Sequence, residues 1–259
     1  MKFSPKHPFF SVIVICYNSE VTIENCINSI LSQSYKSFDI ICVNDGSTDD
    51  TLKLLEKISK SDNRVRILSQ KNNGRGSARN LGIENTKSPF ISFVDSDDHV
   101  DKDFLLHAYE TIQVNKTDLI IYDIKYQNEL LSESKNKIIN KRGYIEEKVF
   151  CFYRSQSVIS CIFGRNLFLD NEIYFPLSKS FEDFFVLYKL IKRSENPLIS
   201  QNRFYNYTPT NYSVTNNLCD EDLSNIIDSF YDFNNFVKFY KLDKNIFTER
   251  FNNVFNNLI

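Results

Sequence analysis

The 259-residue sequence lacks any long apolar run and any excess of charge of one sign. No stretch approaches the roughly eighteen apolar residues of a membrane-spanning helix, and the opening residues, MKFSPKHPFF, lack the apolar segment of a signal peptide. Its 31 Lys and Arg residues balance 33 Asp and Glu residues, so the net charge of −2 gives no general attraction to nucleic acid or anionic lipid. We therefore expect a cytoplasmic protein with no nucleic-acid partner. Peripheral recruitment to the inner face of the plasma membrane, through a partner, is left open.

Paired cysteines and the common phosphate-binding loops are also lacking. None of the six cysteines belongs to a CxxC pair, and three lie in or beside apolar runs, as buried free thiols do. This pattern predicts a reducing compartment. Neither GxGxxG nor GxxxxGK followed by Ser or Thr occurs, which disfavours a dinucleotide-binding fold and a P-loop nucleoside triphosphatase. The cysteines are Cys16, Cys26, Cys42, Cys151, Cys161 and Cys219.

The sequence does contain an alternation of strand and helix patterns over its first hundred residues. Residues 9–16, FFSVIVIC, are nearly continuous and β-branched, which is typical of a strand buried on both faces of a parallel sheet. Short apolar runs at 40–43, 65–68, 90–94 and 118–126 predict further strands. Helical spacing occurs between 9–16 and 40–43 and again between 40–43 and 65–68. The fold class we predict is α/β, with a Rossmann-like, mostly parallel sheet flanked by helices.

Two helices and one excursion are predicted in more detail. Ser47 is expected to cap the second helix, with Asp50 three residues on. The polar stretch from Asn128 to Arg142 has no periodic apolar stripe and predicts a surface excursion. From Asp220 onward helical spacing returns and predicts a C-terminal helical appendage with one apolar face. The residues expected on that face are Leu223, Ile226, Ile227, Phe230, Phe233, Val237 and Tyr240.

Polar residues follow three of the strands at the point where each strand ends. Asn18, Asp45 and Asp95 lie just past the ends of parallel strands, so they should gather along one edge of the sheet, where open α/β sheets bind ligands. The turn DSDD, which begins at Asp95, crowds three carboxylates into four positions, and a cation would relieve their repulsion. Its oxygen ligands suit a hard divalent ion such as Mg²⁺ or Mn²⁺. The alternative is that this turn only caps a helix beginning near Asp101.

Three other polar stretches have both a functional and a purely structural interpretation. NDGSTD, with Asp45, is good turn and helix-cap chemistry in any α/β protein. NNGRGSARN pairs flexible backbone with cations, which fits a phosphate-facing loop and also a solvated loop leading into a helix. Glu182 and Asp183 lie at the predicted start of a helix, where the helix dipole favours acids. Functionally, one of them would be a general base aimed at a hydroxyl across the metal site.

Taken in order, five motifs resemble those of the family 2 inverting glycosyltransferases of the GT-A fold, of the bacterial surface-polysaccharide type. SVIVICYNSE resembles the first strand and turn of that family, VNDGSTDD the nucleoside-binding turn, and NNGRGSARNLGI the loop of glycine, arginine and asparagine. FVDSDD resembles the metal-binding DxD motif, and FEDFFVLYKL the later acidic motif that supplies the base. The likeness covers roughly residues 9–215.

The resemblance implies a role for each matching residue. Asp45 would read the base of the nucleotide, Tyr17 and Asn18 would line its pocket, and Arg79 would lie near the ribose or diphosphate. Asp97 would bind Mn²⁺ or Mg²⁺, Asp95 would be shared between metal and ribose, and Asp183, with Glu182 beside it, would deprotonate the acceptor. The implied nucleotide-sugar set is Tyr17, Asn18, Glu20, Asp45, Asn73, Arg79, Asp95 and Ser96.

Three departures from the family pattern bear on the site. Cys16 stands where the family commonly has proline, which should alter only the turn. Thr208 stands where an arginine usually follows the tyrosines of the late YNYTPTNYSVT segment. No histidine follows His107, so a late histidine ligand is lacking, and water or Tyr207 would have to substitute.

The implied organisation is a glycosyltransferase domain over residues 1–215 and a helical extension over 216–259. Within the domain, about 9–100 would bind the nucleotide and about 101–215 the acceptor. The expected function is transfer of a sugar from a nucleotide-sugar, expected to be a UDP-sugar, to a glycan or lipid-linked saccharide acceptor with inversion. A sugar-nucleotide nucleotidyltransferase and an inactive GT-A scaffold are the alternatives. Packing on the domain or homodimerisation through the C-terminal helices would suit the extension better than membrane contact, because its polar face lacks a Lys and Arg bias.

Overall fold

A computed structural model describes residues 8–126, 138–139, 157–177, 180–209 and 218–258. Most of the predicted excursion from Asn128 to Arg142 lies outside these residues, and so does Cys151. Within the described part of that excursion, Ile138–Ile139 forms a short strand. Four of the described cysteines, Cys16, Cys26, Cys42 and Cys161, are buried free thiols.

The described residues contain a nine-stranded sheet. Its strands are β1 (Phe10–Cys16), β2 (Phe38–Asp45), β3 (Val65–Gln70), β4 (Phe90–Asp95), β5 (His99–Val100), β6 (Leu119–Tyr126), β7 (Ile138–Ile139), β8 (Cys161–Gly164) and β9 (Pro197–Tyr207). The order is β3-β2-β1-β4-β8-β6-β9-β5, and β7 pairs with β9. The first four strands of this order are parallel, as the sequence predicts, whereas β8 is antiparallel to both of its neighbours.

Helices connect these strands and cover the sheet. They are α1 (Ile23–Leu31), α2 (Thr51–Ser61), α3 (Arg75–Glu84), α4 (Phe104–Asn115), α5 (Asn166–Leu169), α6 (Leu187–Arg193), α7 (Asp220–Phe239) and α8 (Lys244–Leu258). A 3₁₀ turn at Glu182–Phe185, called here the acidic turn, precedes α6. The prediction that Ser47 caps the second helix is wrong, because α2 begins at Thr51 and Asp50 holds the capping position.

Two apolar cores lie on opposite faces of the sheet. Along β1, Ile13 and Ile15 enter one core while Val12 and Val14 enter the other. Alternate side chains of a strand point to opposite faces, so a strand with a core on each side is apolar at nearly every position. This is the physical reason for the continuous apolar run at residues 9–16, and it shows that the sheet is covered on both faces.

The C-terminal helices α7 and α8 pack against the acidic turn and α6. On α7, Ile226, Phe230, Phe233 and Val237 are buried. Two further residues predicted for the same face, Leu223 and Ile227, are exposed. Successive residues of a helix are about 100° apart, so the buried line through Ile226 and Phe230 leaves these two on its shoulder. None of the described helices is long and apolar enough to cross a bilayer.

Candidate functional site

The carboxyl ends of β1, β2 and β4 meet at one edge of the sheet. Cys16 is in register with Asn44 of β2, and Ile15 is in register with Asp95 of β4. The residues at or just after the end of each strand therefore come together, as the sequence predicts for Asn18, Asp45 and Asp95. Parallel pairing with a common register produces this edge.

The turn after β1 is joined to the turn after β2 by side-chain hydrogen bonds. Asn18, in the left-handed region at φ 47°, accepts a hydrogen bond at Oδ1 from the Thr48 amide at 2.8 Å. The backbone amide of Asn18 donates to Ser47 Oγ at 3.1 Å, so Ser47 bonds to the turn after β1 and does not cap a helix. Glu20 accepts at Oε2 from the Asp50 amide at 2.9 Å. Asn18 and Glu20 therefore hold two turns together, and both are exposed at the edge.

Tyr17 directly follows β1, and Ser96 directly follows β4. The Tyr17 side chain is 48% exposed, so its ring is open to a ligand at this edge. The buried Ser96 shares a hydrogen bond of 2.6 Å between its Oγ and that of Ser19, which joins the turn after β1 to the turn after β4. Ser19 was not singled out from the sequence, and no local pattern distinguishes it from the other serines.

Asp45 holds the loop after β3 in place. Its Oδ1 accepts from Gln70 Nε2 at 2.7 Å and from the Asn73 amide at 2.9 Å, and its Oδ2 accepts from the Gly74 amide at 3.0 Å. The residue is 3% exposed. Because a carboxylate offers about four acceptor sites, one further hydrogen bond to a ligand remains available. Asn73 joins Asp45 through its backbone, and its own side chain is exposed.

Asp95, Asp97 and Asp98 form the described group of acids suited to a cation. One oxygen of each lies within 4.8 Å of the others. Burial, and then the charge of Asp95, raises the pKa of Asp97 to about 6. Burial, and then the charges of Asp95 and Asp97, raises the pKa of Asp98 to about 8. Three crowded hard oxygen donors whose negative charges are unfavourable without a counter-ion fit a divalent cation.

The acidic cluster is tied to the end of β9 and not to the following helix. Tyr205 donates from its hydroxyl to Asp98 Oδ2 at 2.6 Å, and the Thr208 amide donates to Asp98 Oδ1 at 2.7 Å. The Tyr205 hydroxyl also accepts from the Asp95 amide at 3.1 Å. The alternative in which this turn only caps a helix is wrong, since α4 begins at Phe104 after Asp103. Asp98 is only 2% exposed and is part of the cluster, which the sequence assigned to Asp95 and Asp97 alone.

Arg79 connects the acidic cluster to the acidic turn. Its guanidinium donates from Nη2 to Asp95 at 3.2 Å and from Nη1 to Glu182, and Nη1 lies 3.1 Å from Asp183 Oδ1. The residue is 1% exposed, so these carboxylates, and not bulk solvent, surround the charge. Arg79 therefore contacts both predicted catalytic acids, Glu182 and Asp183, although 103 positions of sequence separate it from Glu182.

Asp183 has two further partners that the sequence did not indicate. Its Oδ2 accepts from Ser157 Oγ at 3.0 Å and from the Val158 amide at 3.1 Å. Its side chain is 14% exposed, against 4% for Glu182. The segment around these acids is also not the simple helix start that was predicted, because the acidic turn is 3₁₀ and α6 begins only at Leu187.

The first turn of α3 places Arg79 through close backbone packing. A Cβ atom on Gly76 would lie 2.1 Å from the carbonyl oxygen of Pro176, so only glycine fits there. Asn80 exchanges two hydrogen bonds of 2.9 Å with the backbone of Phe175. The glycine and asparagine of the NNGRGSARN stretch therefore dock α3 onto the chain that leads to the acidic turn.

Comparison with known proteins agrees with this geometry. The family description "Glycosyl transferase family 2" matches residues 11–173. The chain is 30% identical over 209 residues to the poly(ribitol-phosphate) beta-N-acetylglucosaminyltransferase TarS of Staphylococcus aureus, covering 76% of this chain and 35% of that protein. It is 40% identical over 114 residues to the putative glycosyltransferase EpsH of Bacillus subtilis, covering 44% and 33%. The chain thus spans about a third of the length of these curated relatives.

Solved structures of glycosyltransferases have a similar fold. The crystal structure of S. aureus TarS 1-349 with UDP-GlcNAc superposes with a TM-score of 0.71 at 25% identity, covering 86% of this chain and 66% of that one. The mannosyltransferase PcManGT of Pyrobaculum calidifontis, in complex with GDP-Man and Mn²⁺, shares the fold with a TM-score of 0.64 at 14% identity, covering 88% and 64%.

The parallel sheet edge, its covering helices and these neighbours define a GT-A α/β protein. The chain belongs to glycosyl transferase family 2, which confirms the resemblance drawn from its five motifs. Membership of a family of glycosyl transferases also disfavours the nucleotidyltransferase alternative.

Proposed function

We propose that this chain transfers a sugar from a UDP-sugar to a hydroxyl of a glycan or lipid-linked saccharide acceptor, in bacterial cell-surface polysaccharide synthesis. The observation that carries the proposal is the placement of Arg79, which contacts Asp95 of the acidic cluster and both acids of the acidic turn. A general-base candidate thereby lies next to the cluster suited to a cation and a diphosphate. The match to TarS, whose structures contain UDP-GlcNAc or UDP, supports a UDP-sugar as donor.

The donor would lie along the common strand edge. Tyr17 offers an exposed ring for the base, and Asp45 with Asn73 forms the base end of the site. Asn18 and Glu20 keep the two turns in register, while Ser96 secures the turn that carries the acids. This arrangement runs from base to diphosphate in the order of strands β2, β1 and β4.

Asp97 and Asp95, with Asp98 beside them, would hold Mn²⁺ or Mg²⁺. Such an ion, when bound, neutralises charge on a leaving diphosphate. The alternative of an inactive scaffold is disfavoured by a complete set of acids at the edge, since nothing in a scaffold role requires three carboxylates within 4.8 Å of one another.

Asp183 is the proposed base, because its side chain is more exposed than that of Glu182, at 14% against 4%, and its Oδ1 has no hydrogen-bond partner among the described residues. It takes the proton from the acceptor hydroxyl, and that oxygen bonds to the anomeric carbon as the bond from this carbon to the diphosphate oxygen breaks. Attack from the face opposite the nucleotide inverts the configuration, and a single displacement needs only one base. Glu182 and Arg79 are positioning residues, since both are buried and paired with each other.

The test compares wild type with Asp183→Asn. UDP-GlcNAc, UDP-glucose and GDP-mannose are screened by thermal shift with MnCl₂, and we expect a UDP-sugar to raise the melting temperature most. UDP release from that donor should fall by about 10²–10⁴-fold in Asp183→Asn, the usual contribution of a general base, with donor affinity within twofold of wild type. Asp170→Asn, at an exposed aspartate, is the matched control. Wild-type turnover in Asp183→Asn would make the base assignment wrong, and no shift with any nucleotide-sugar would contradict the proposed donor class.

A further inference from the structure

The acidic turn has a strained and closely packed backbone. Phe181, immediately before Glu182, lies in the left-handed region at φ 57°, which a bulky residue adopts only when its surroundings hold it there. The ring of Phe184 is buried with Ile226 and Phe230 of α7, and Phe181 packs against the same cluster. The position of the two acids therefore depends on helices that lie later in the chain.

Arg250 of α8 makes the most direct of these contacts. Its Nη2 donates to the Phe184 carbonyl oxygen at 2.9 Å, and that carbonyl directly follows Asp183 in the chain. Its guanidinium carbon lies 4.1 Å from the ring centre of Phe233, 5.1 Å from Tyr188 and 5.9 Å from Phe184. The residue is 1% exposed.

A buried guanidinium is a costly way to hold two helices together. An apolar side chain of similar size often gives equal or better stability at such a position. What the guanidinium adds is direction, because a planar donor seated between aromatic rings fixes one carbonyl of the acidic turn in space. That carbonyl belongs to the residue next to the proposed base.

Two residues of α7 contact the chain just before and just after the acidic turn. Asn225 donates from Nδ2 to Ser180 Oγ at 3.1 Å, two residues before Glu182. Asp232 accepts from the Tyr188 hydroxyl and pairs with Lys189 Nζ at 2.7 Å. The C-terminal helices thus hold the acidic turn before, within and after its acids.

We infer that Arg250 is a positioning residue for the transfer step, holding the Glu182–Phe185 turn so that Asp183 stays beside Arg79 and the acceptor. This inference rests on the proposed function and gives the C-terminal helices a role in turnover. Donor binding does not depend on it, because the donor edge is built by β1, β2 and β4.

The test compares Arg250→Met, which keeps the length and apolar bulk, with Arg250→Lys, which keeps a cation that can donate. Lys238→Met, at an exposed position of α7, is the matched control. In Arg250→Met we expect kcat to fall at least about tenfold, the effect of displacing a base without removing it, with donor KM and Kd within twofold of wild type. Arg250→Lys should recover part of kcat, and Lys238→Met should match wild type. Wild-type kcat in Arg250→Met, or an equal loss of kcat and donor affinity, would overturn the inference.

A second measurement does not require activity. Hydrogen exchange in Arg250→Met should speed up by about tenfold at the Phe184 and Val186 amides, which bond to the Phe181 and Asp183 carbonyls, and stay unchanged in β1 and β4. Unchanged exchange at these two amides would also overturn the inference. If wild type shows no transfer while exchange responds as expected, the proposed function fails and the positioning contact stands. If Arg250→Met does not fold, Asn225→Ala takes its place, with a loss of kcat at constant donor Kd expected and wild-type kcat contradicting it.

Discussion

Arg79 contacts both the acidic cluster and the acidic turn, the two parts of the candidate site. It has carboxylates of Asp95, Glu182 and Asp183 around a guanidinium whose carbon lies 5.4 Å from the ring centre of Phe175. A buried charge needs such partners, because transfer from water without them costs several kcal/mol. A lysine offers one point charge and could not address three carboxylates from a fixed plane. The residue is therefore a fixed reference for the acids around it.

Asp97 is the residue whose removal tests the cation site most directly. Asp97→Asn should lower the affinity for Mn²⁺ by more than about 100-fold, because changes even outside the first ligand shell of a metal often cost 10–100-fold. Isothermal titration of the protein with MnCl₂ measures this change. Asp103→Asn, six positions on at an exposed aspartate, is the control and should bind Mn²⁺ like wild type. Unaltered Mn²⁺ binding in Asp97→Asn would place the cation elsewhere.

At the scale of elements, the end of β9 supports the end of β4. The buried Tyr205 hydroxyl bridges the Asp95 amide and Asp98, so two strands that are not neighbours in the sheet share one polar contact. Without it, a buried amide and a buried carboxylate oxygen would each lose a partner. The contact therefore bears on both stability and the shape of the cluster.

Tyr205→Phe should lower the free energy of unfolding by about 1–3 kcal/mol, the usual cost of leaving buried polar groups unpaired, and weaken Mn²⁺ binding as well. Tyr122→Phe is a matched control, because its hydroxyl is also buried but bonds to His107 Nδ1 at 2.9 Å, away from the acids. We expect the control to lose stability and to keep its Mn²⁺ affinity. Denaturant unfolding and calorimetric titration measure the two effects, and equal Mn²⁺ affinities in both variants would contradict a supporting role for Tyr205.

At the scale of the whole molecule, the acidic cluster links stability to pH. The pKa of Asp97 is raised from 3.8 to about 6 and that of Asp98 from 3.8 to about 8, both chiefly by burial. Between pH 4 and pH 8 the folded state therefore holds protons that the unfolded chain has released, so the free energy of unfolding falls as pH rises. Divalent cations compete with those protons, so their stabilising effect should grow over the same range.

Without metal, in EDTA, the melting temperature should fall by about 10–20 °C between pH 5 and pH 8, because the raised pKa values of Asp97 and Asp98 together correspond to a loss of about 5 kcal/mol over this range and 1 kcal/mol corresponds to about 2–4 °C in a chain of this size. The rise produced by MgCl₂ should be larger at pH 8 than at pH 5. In EDTA, Asp98→Asn should reduce the dependence of the melting temperature on pH. Burial lowers the pKa of His107, so this residue makes the protein more stable as pH rises, which is the opposite effect. The difference between Asp98→Asn and wild type therefore isolates the contribution of Asp98. Parallel pH curves for Asp98→Asn and wild type would show that the cluster does not titrate in this range.

Local patterns were enough to predict β1, β2, β3, β4 and β6, the parallel direction of the first four of these, and the edge at which Asn18, Asp45 and Asp95 meet. They did not predict β8 and β9, which complete the sheet. A strand that is apolar at nearly every position is covered on both faces, and the carboxyl ends of parallel strands meet at one edge of the sheet. The sequence predicted the buried face of α7 only in part, because Leu223 and Ile227 were expected on it and are exposed. A wide apolar stripe on a helix does not show which of its two sides the neighbouring elements cover. The types of residue in the site were readable, and their partners were not.

Those partners come from chain segments far apart. Arg79 meets Glu182 across 103 positions, Asp98 meets Tyr205 across 107, and Arg250 meets the Phe184 carbonyl across 66. Contacts of this kind leave no periodic or local signature, because they depend on how covered sheets and helices pack once formed. Sequence alone therefore indicated which chemistry the strand edge could carry. The tertiary packing decided that Arg79 pairs with Asp95, Glu182 and Asp183, and how the C-terminal helices hold the acidic turn.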